Sequence, residues 1–544
     1  MTLIISGNYL NKRTLYLITL RRERNPPMKQ ISILIIALFL TLTTTIPQAT
    51  SHIQPTTPAN AITIPSSLLN ENWTLRQKIT ASDASGDSLF GDAVDSDHDT
   101  AIIGSSWDNE NGLNSGSAYI FEHTNTTTWT QQTKLLAPDG EAMDWYGYAV
   151  AIDKDTALVG APQYYDNKTG AVYVYTRNGP TWTLQTQLHP TNGTPYQHFG
   201  YSLDLDGDTA LIGAPGQDQG AAYVFTRKND NWTQQARLQP DDFHAIHFGG
   251  DVALYNNTAV IGAYSDNESG ANAGAAYVFT RTNNIWTKQQ KIMASDTDAG
   301  DDFGTAVSLS DDTLLVGAQG AQTNGYWSGA AYVFTRTNGA WQQQTKLTAN
   351  DTEANDYFGM DLSLDRDTAL IGSVHDAGPG FRSGAAYVFT RPNGTTWAQQ
   401  VELLAPDTAA EDQFGGAVSL DINTAFIGAK GNDHNKGAVY VFTRPPVLNL
   451  TITGGLDITV TIQNTGHTDI SDVEWQIHIA GGFFKRINKT MMGTIAIPAG
   501  ESRSVGTGLL FGLGPITITA SADDVTIQKT GIQLLVCTLL KDTK

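Results

Sequence analysis

The stretch that decides the fold is Phe199–Leu238, FGYSLDLDGDTALIGAPGQDQGAAYVFTRKNDNWTQQARL. It holds four runs of strand length, separated by Asp-Gly-Asp, Pro-Gly-Gln and Lys-Asn-Asp-Asn, all of them turn chemistries. Along Ala222-Tyr223-Val224-Phe225 rings point to one face and small apolar groups to the other. Both faces of that strand are therefore apolar, as burial between two neighbouring sheets requires.

The same unit returns seven times. Aromatic-Gly pairs stand at Phe90, Tyr146, Phe199, Phe248, Phe303, Phe358 and Phe414, 49 to 56 residues apart. Tryptophan keeps the same beat at Trp73, Trp129, Trp182, Trp232, Trp286, Trp341 and Trp397. A four-strand unit repeated at this period predicts an all-β chain built on a seven-bladed β-propeller. The repeats open on a Trp strand and end at Arg444 without one, so the first Trp strand is expected to complete the last blade and close the ring. Such closure removes free edges.

The Phe-Gly and Ile212-Gly213-Ala214-Pro215 elements resemble the FG-GAP repeat of integrin alpha-chain propellers, and the prokaryotic secreted or surface FG-GAP proteins more closely still. The resemblance covers residues 71–446 and implies the fold, while the fold itself hosts many activities. It departs from the integrin pattern at the calcium loop. Asp95, Asp97 and Asp99 have alternate spacing but lack the Gly and the distal acid of a calcium cage, so no metal is expected there.

Strand parity puts tight turns on one face and long, variable loops on the other, which makes the long-loop face the candidate working face. An Asp seven residues before the aromatic-Gly pair recurs in six of the seven units, from Asp83 to Asp407, and is read as a loop cap. The arginines ending the third strand, Arg177, Arg227, Arg281, Arg336, Arg391 and Arg444, are read as solvated turn residues. Residues that break the pattern are the ligand-binding candidates: Trp145, Tyr164, Tyr165, Tyr196, His198 and His247, with the short loop Ala214–Gln219 leaving a depression beside them. Aromatic faces with His and Asp suit sugar or peptide stacking. Trp107, Tyr326, Trp327, His375 and Phe381 form a second, scattered set. His244 and His247 lack an evident third metal ligand.

The flanks have different chemistry. Ile31–Leu42 is a dozen apolar residues after Lys29 and before Pro47-Gln48-Ala49, the layout of a secretory signal over 28–49. Met28 is read as the start, 1–27 as a mis-called extension and 50–70 as a linker; a retained signal anchor is the alternative. Residues 447–544 carry short strands and turns such as Pro498-Ala499-Gly500-Glu501, expected to form an immunoglobulin-like β-sandwich around Trp475.

Composition limits function. A net charge of −21 argues against nucleic acid, and the single Cys537 excludes an intramolecular disulfide framework. No H-E-x-x-H, G-x-S-x-G or phosphate loop occurs, so no catalytic residue and no cofactor are assigned. Eleven Asn-X-Ser/Thr sequons permit glycosylation in a host that glycosylates exported proteins. The expectation is an exported, non-enzymatic protein, secreted or at the cell surface, with no integral membrane span after signal cleavage and a glycan or extracellular protein as partner. The alternatives are a polysaccharide hydrolase or lyase with a dispersed site, or a structural envelope component.

Overall fold

In the third repeat the four runs become strands Leu203–Asp206, Thr209–Ala214, Ala221–Lys228 and Asn231–Leu238, hydrogen-bonded in that order into one antiparallel sheet. Seven such four-stranded sheets follow one another. The computed structural model describes residues 2–9, 12–19 and 73–540, apart from short segments at 124–127, 164–166, 217, 379, 392–393, 395, 445–447, 455–457, 465–469, 483–486, 499–500, 509–511, 523–524 and 536. The signal segment 28–49 and the linker 50–70 lie outside the described residues. Within 1–27, Thr2–Tyr9 and Lys12–Thr19 pair as an antiparallel hairpin.

First strands of consecutive sheets touch one another all the way round, and Phe414–Asp421 of the seventh meets Phe90–Asp97 of the first. The arrangement is a propeller-like ring with the first strands innermost. Thr74–Ile79 pairs antiparallel with Ala438–Thr443, so the seventh sheet takes its outer strand from the start of the repeat region.

Neighbouring sheets meet backbone to backbone, and glycine makes that possible. Gly437 forms a parallel bridge with Phe90, and a Cβ there would stand 1.9 Å from the Phe90 carbonyl oxygen. At Gly428, in the second strand of the same blade, a Cβ would stand 2.2 Å from the carbonyl oxygen of Gly91. The ring of each aromatic-Gly pair then packs inside its own blade. Phe90 meets Tyr119 edge-on at 5.4 Å and Phe121 at 6.0 Å, all three buried.

The innermost strand of each blade is a sheet edge whose N–H groups need partners. Short polar side chains of the preceding blade supply them. Asp95 accepts from the Ile152 N–H at 2.8 Å, Asp204 from Leu254 at 2.6 Å and Ser308 from Leu364 at 3.0 Å. One step along, Asp97 accepts from Lys154 at 2.6 Å and Asp153 from Gly207 at 2.6 Å. Burial pushes both Asp95 and Asp204 up to about 7, against the backbone hydrogen bonds that favour the charged form.

The repeated arginines are not solvated turn residues. Arg281 lies over Trp286 with its guanidinium 5.1 Å from the ring centre and donates to Asn257 at 2.8 Å. It also crosses to the preceding blade, donating to Thr209 at 3.1 Å. Arg177, Arg227, Arg336, Arg391 and Arg444 repeat that crossing onto Thr100, Thr156, Thr258, Thr313 and Thr368. Their partners lie in another repeat, which local reading of a turn does not reveal. Three of the six repeated aspartates brace the third strand instead of capping loops: Asp83, Asp139 and Asp407 accept from the hydroxyls of Tyr119, Tyr173 and Tyr440 at 2.7 to 2.9 Å. Asp241 and Asp296 pair with Lys288 and Lys346 of the fourth strand.

After the ring the chain forms a three-stranded and a five-stranded antiparallel sheet. They enclose a core of Ile and Val side chains, among them Ile462, Ile477 and Ile518. Trp475 packs at the margin of this core, not at its centre, because the β-branched side chains fill the space between the sheets. The run Leu448–Gln463 is two strands, Leu448–Thr453 and Thr459–Asn464, and the apolar run Ile532–Leu540 divides between Val525–Leu535 and Cys537–Leu540.

Two predictions follow from the contacts between blades. Gly428→Ala drives a methyl group into the backbone of the next blade and is expected to cost roughly 4 kcal/mol or more. Gly339→Ala is strained by a left-handed backbone (φ 80°), which Gly428 does not have, but meets no atom within 4 Å, and should cost only about 1–2 kcal/mol. Urea unfolding of the two variants measures the difference.

The second concerns pH. A carboxyl raised from 3.8 to about 7 on folding stabilises fully below its unfolded value, and that stability is lost as pH rises through 7. Carboxylates held low by lysine, such as Asp407 beside Lys78, slope the other way, so a difference measurement isolates the effect. Asp204→Asn keeps an acceptor for Leu254 and removes the charge. Its melting temperature should exceed that of the unaltered chain most at pH 8 and converge with it near pH 4.

Candidate functional site

The two residues that follow each aromatic-Gly pair face the end of the axis on the long-loop side. Tyr148, Tyr201, Gly250, Thr305, Met360 and Gly416 are among the residues that line a cavity of about 630 Å³ there, joined by side chains from the loops above. The lining is uneven. Blades two and three contribute Tyr148 and Tyr201, with ring centres 4.9 Å apart, while blades four and seven contribute glycine at the equivalent place. The cavity is thus aromatic on one side and open on the other.

Its charged groups come from blades one, four, six and seven. Lys430 of the seventh blade reaches Asp92 of the first at 2.9 Å, and that carboxylate holds its ammonium above the usual lysine range despite burial. Asp251 and Asp361 also line the cavity. Both are half-buried, and desolvation raises Asp361 to about 6 and Asp251 well above the carboxylate range. Each is fixed by a backbone donor of the next blade, Val307 and Val418 respectively, both at 2.7 Å. The arrangement can stack an apolar or sugar face and orient polar groups against carboxyls and an ammonium.

The residues singled out from sequence divide. Trp145 lines the cavity and stacks on Tyr148 with ring centres 5.7 Å apart. His247 stacks at 4.7 Å on Tyr264, which lines the cavity, and its Nδ1 lies 3.1 Å from the Ser265 hydroxyl. His198 is buried, which lowers its pKa, and the nearby His247 lowers it further. Tyr196 points outward and is 44% exposed. Tyr164 and Tyr165 lie outside the described residues. The short loop over blade three packs down on the Tyr196–His198 segment: a Cβ on Gly216 would stand 1.9 Å from the Tyr196 carbonyl oxygen.

Trp145, His198 and His247 are one structural position. The residue immediately before the aromatic-Gly pair has left-handed φ in all seven blades, from 53° at Asp302 to 58° at Tyr357. That conformation is uncommon for large side chains, and here it sets seven side chains of six kinds around the mouth of the axis. In the second set, Tyr326 stacks on Trp327, Trp327 meets Tyr357, and Tyr357 meets His375, a continuous aromatic run across blades five and six. Trp107 stands at the cavity rim, 37% exposed. Sequence reading missed Tyr148, Tyr201, Asp251, Asp361 and Lys430. The signal was present: the two positions after each Phe-Gly vary between blades while the residues around them repeat.

Comparison with known proteins fits this picture. The FG-GAP repeat profile matches at residues 73–121, 129–175, 182–225, 232–279, 286–334, 341–389 and 397–442. No curated protein matches the chain. Among the described residues no helix is long and apolar enough to cross a membrane. Seven profile matches over more than half of its length, each taking in the outer strand of one sheet and the first three strands of the next, place this chain in the FG-GAP repeat family.

Proposed function

We propose that the chain is an exported binding protein, secreted or at the cell surface, whose long-loop face engages a glycan or another protein. The observation that carries this reading is where exposed apolar side chains lie. Trp107, Leu113, Tyr196, Phe243, Tyr326 and Phe381 all stand on loops of that face, and Phe243 is 96% exposed. The tight-turn face offers only Tyr255 and Ile285 in the same class, among the described residues. Exposed aromatics gathered on one face, around a cavity with a few fixed polar groups, are the usual chemistry of a recognition surface. The net charge of −21 keeps nucleic acid out of the reading. The C-terminal module is read as an immunoglobulin-like sandwich serving as a spacer or docking unit, the segment 28–49 as the export signal, and the sequons as permissive for glycosylation.

One observation favours a second reading. Two half-buried carboxyls, Asp251 and Asp361, line one aromatic cavity, and glycoside cleavage employs a pair of carboxyls of which one, its pKa raised, is the general acid.

A glycan array probed with the purified chain, with calcium and again with chelator, tests the first reading. Selective binding that falls about tenfold or more in Trp145→Ala and Trp107→Ala, with Leu184→Ala unchanged, supports it. Binding that all three variants retain sinks it, as does a silent array from folded protein combined with turnover of a bound polysaccharide. Loss of that turnover in Asp251→Asn would move the assignment to the hydrolase or lyase reading.

A further inference from the structure

Six of the seven junctions between blades carry the arginine crossing described above. The seventh, where the last blade meets the first, does not. The residue of the first blade that matches Arg177 is His123, which lies against Trp129 at 5.3 Å and reaches Asp99 at 3.8 Å. Its partner across the junction would be Thr424. That threonine is half-buried, whereas the six threonines that receive an arginine are buried. Among the described residues no hydrogen bond joins His123 to Thr424. This junction is also the one closed only by pairing of distant chain segments.

A different group of side chains gathers there. Asp97 and His98 come from the first tight turn of blade one, and Asp421 from the same turn of blade seven. One oxygen of Asp97 accepts from the Lys154 N–H at 2.6 Å, and the other meets the His98 Nδ1. The His98 N–H donates to Asp421, which fixes the histidine in its left-handed conformation (φ 52°). One ligating atom from each of the three residues lies within 4.8 Å of the others. The corresponding turns of blades two and six carry Lys154 and Arg366 beside Asp153 and Asp365. Blade seven has Ile422 in that place, so Asp421 has no cation in its own turn.

We propose that Asp97, His98 and Asp421 form a binding site for a zinc-class divalent ion that staples the first blade to the seventh, in place of the missing arginine crossing. One imidazole and two carboxylates are a donor set suited to such an ion, with solvent filling the remaining positions. His98 and Asp421 border an open cavity of about 580 Å³, which gives the ion a way in. The distal carboxylate comes from the opposite end of the repeat region, so the spacing of Asp95, Asp97 and Asp99 could not reveal it. The ion's role is structural, and the proposal does not depend on what the long-loop face binds.

The test uses the full chain without a histidine tag, stripped with chelator and titrated with zinc chloride. Calorimetry should find one site per chain that loses about 100-fold in affinity in His98→Asn and in Asp421→Asn. Asp421→Asn retains an acceptor for the His98 N–H, so it guards against a folding defect in the other variant. Hydrogen exchange should slow on zinc addition in Thr74–Ile79 and Ala438–Thr443 and stay unchanged in Ala275–Thr282 of blade four. Zinc binding that both variants keep, no binding at micromolar zinc, or protection spread evenly over the blades overturns the proposal.

Discussion

Everything in the ring rests on the approach of one blade's backbone to the next without side chains between them. Gly437 against Phe90, and Gly428 against Gly91, leave no space for a methyl group. Because the contact is peptide on peptide, its geometry is the same at each junction. Side chains then have fixed distances to bridge. That is why an arginine in one blade reaches a threonine in the blade before it at six junctions, and why an aspartate or serine on an inner strand finds an N–H one blade further on. A ring assembled from unlike contacts would need each junction solved separately; here one solution is repeated.

The same repetition explains where function can be placed. Positions that hold blades together admit few residue types. Those that face the axis or stand before the aromatic-Gly pair have their backbone set by neighbours and their side chains free to differ. Tyr148, Tyr201, Met360 and Gly416 occupy one equivalent position just after the aromatic-Gly pair, and Trp145, His198 and Tyr357 another just before it. The scaffold supplies a circle of rigid mounts, and the chain varies what each mount carries. An asymmetric cavity arises on a symmetric frame in this way, aromatic over blades two and three and open over four and seven.

Sequence alone carried the repeat, the strand order and the phase of the units, because turns and strand alternation are local properties. It also pointed to Trp145 and to the neighbourhood of His247. What it did not carry were partners supplied by other repeats. Arg281 looked like the end of a strand since its threonine, Thr209, is 72 residues away. Asp97 and Asp421 are the same position of two blades, and only ring closure makes them neighbours. Tyr148 and Tyr201 passed unnoticed because a tyrosine leading into an apolar strand reads as core until the axis is seen to be hollow at that level. In the C-terminal module Trp475 drew attention by size, whereas isoleucine and valine between two sheets fill the core.

The pairing of Thr74–Ile79 with Ala438–Thr443 also has a temporal side. The two strands are 369 residues apart at the Thr74–Thr443 contact, so the first strand of the ring cannot pair until the last strand of the ring has been made. The entropy of closing so long a loop grows only logarithmically, about 0.6 kcal/mol per doubling, and equilibrium stability suffers little. Kinetics differ: such non-local pairing is slow to form, and until it forms Ala438–Thr443 is an open edge. During that interval the early strand of one copy and the late edge of another are complementary, which makes exchange of Thr74–Ile79 between two chains the characteristic misassembly of this ring.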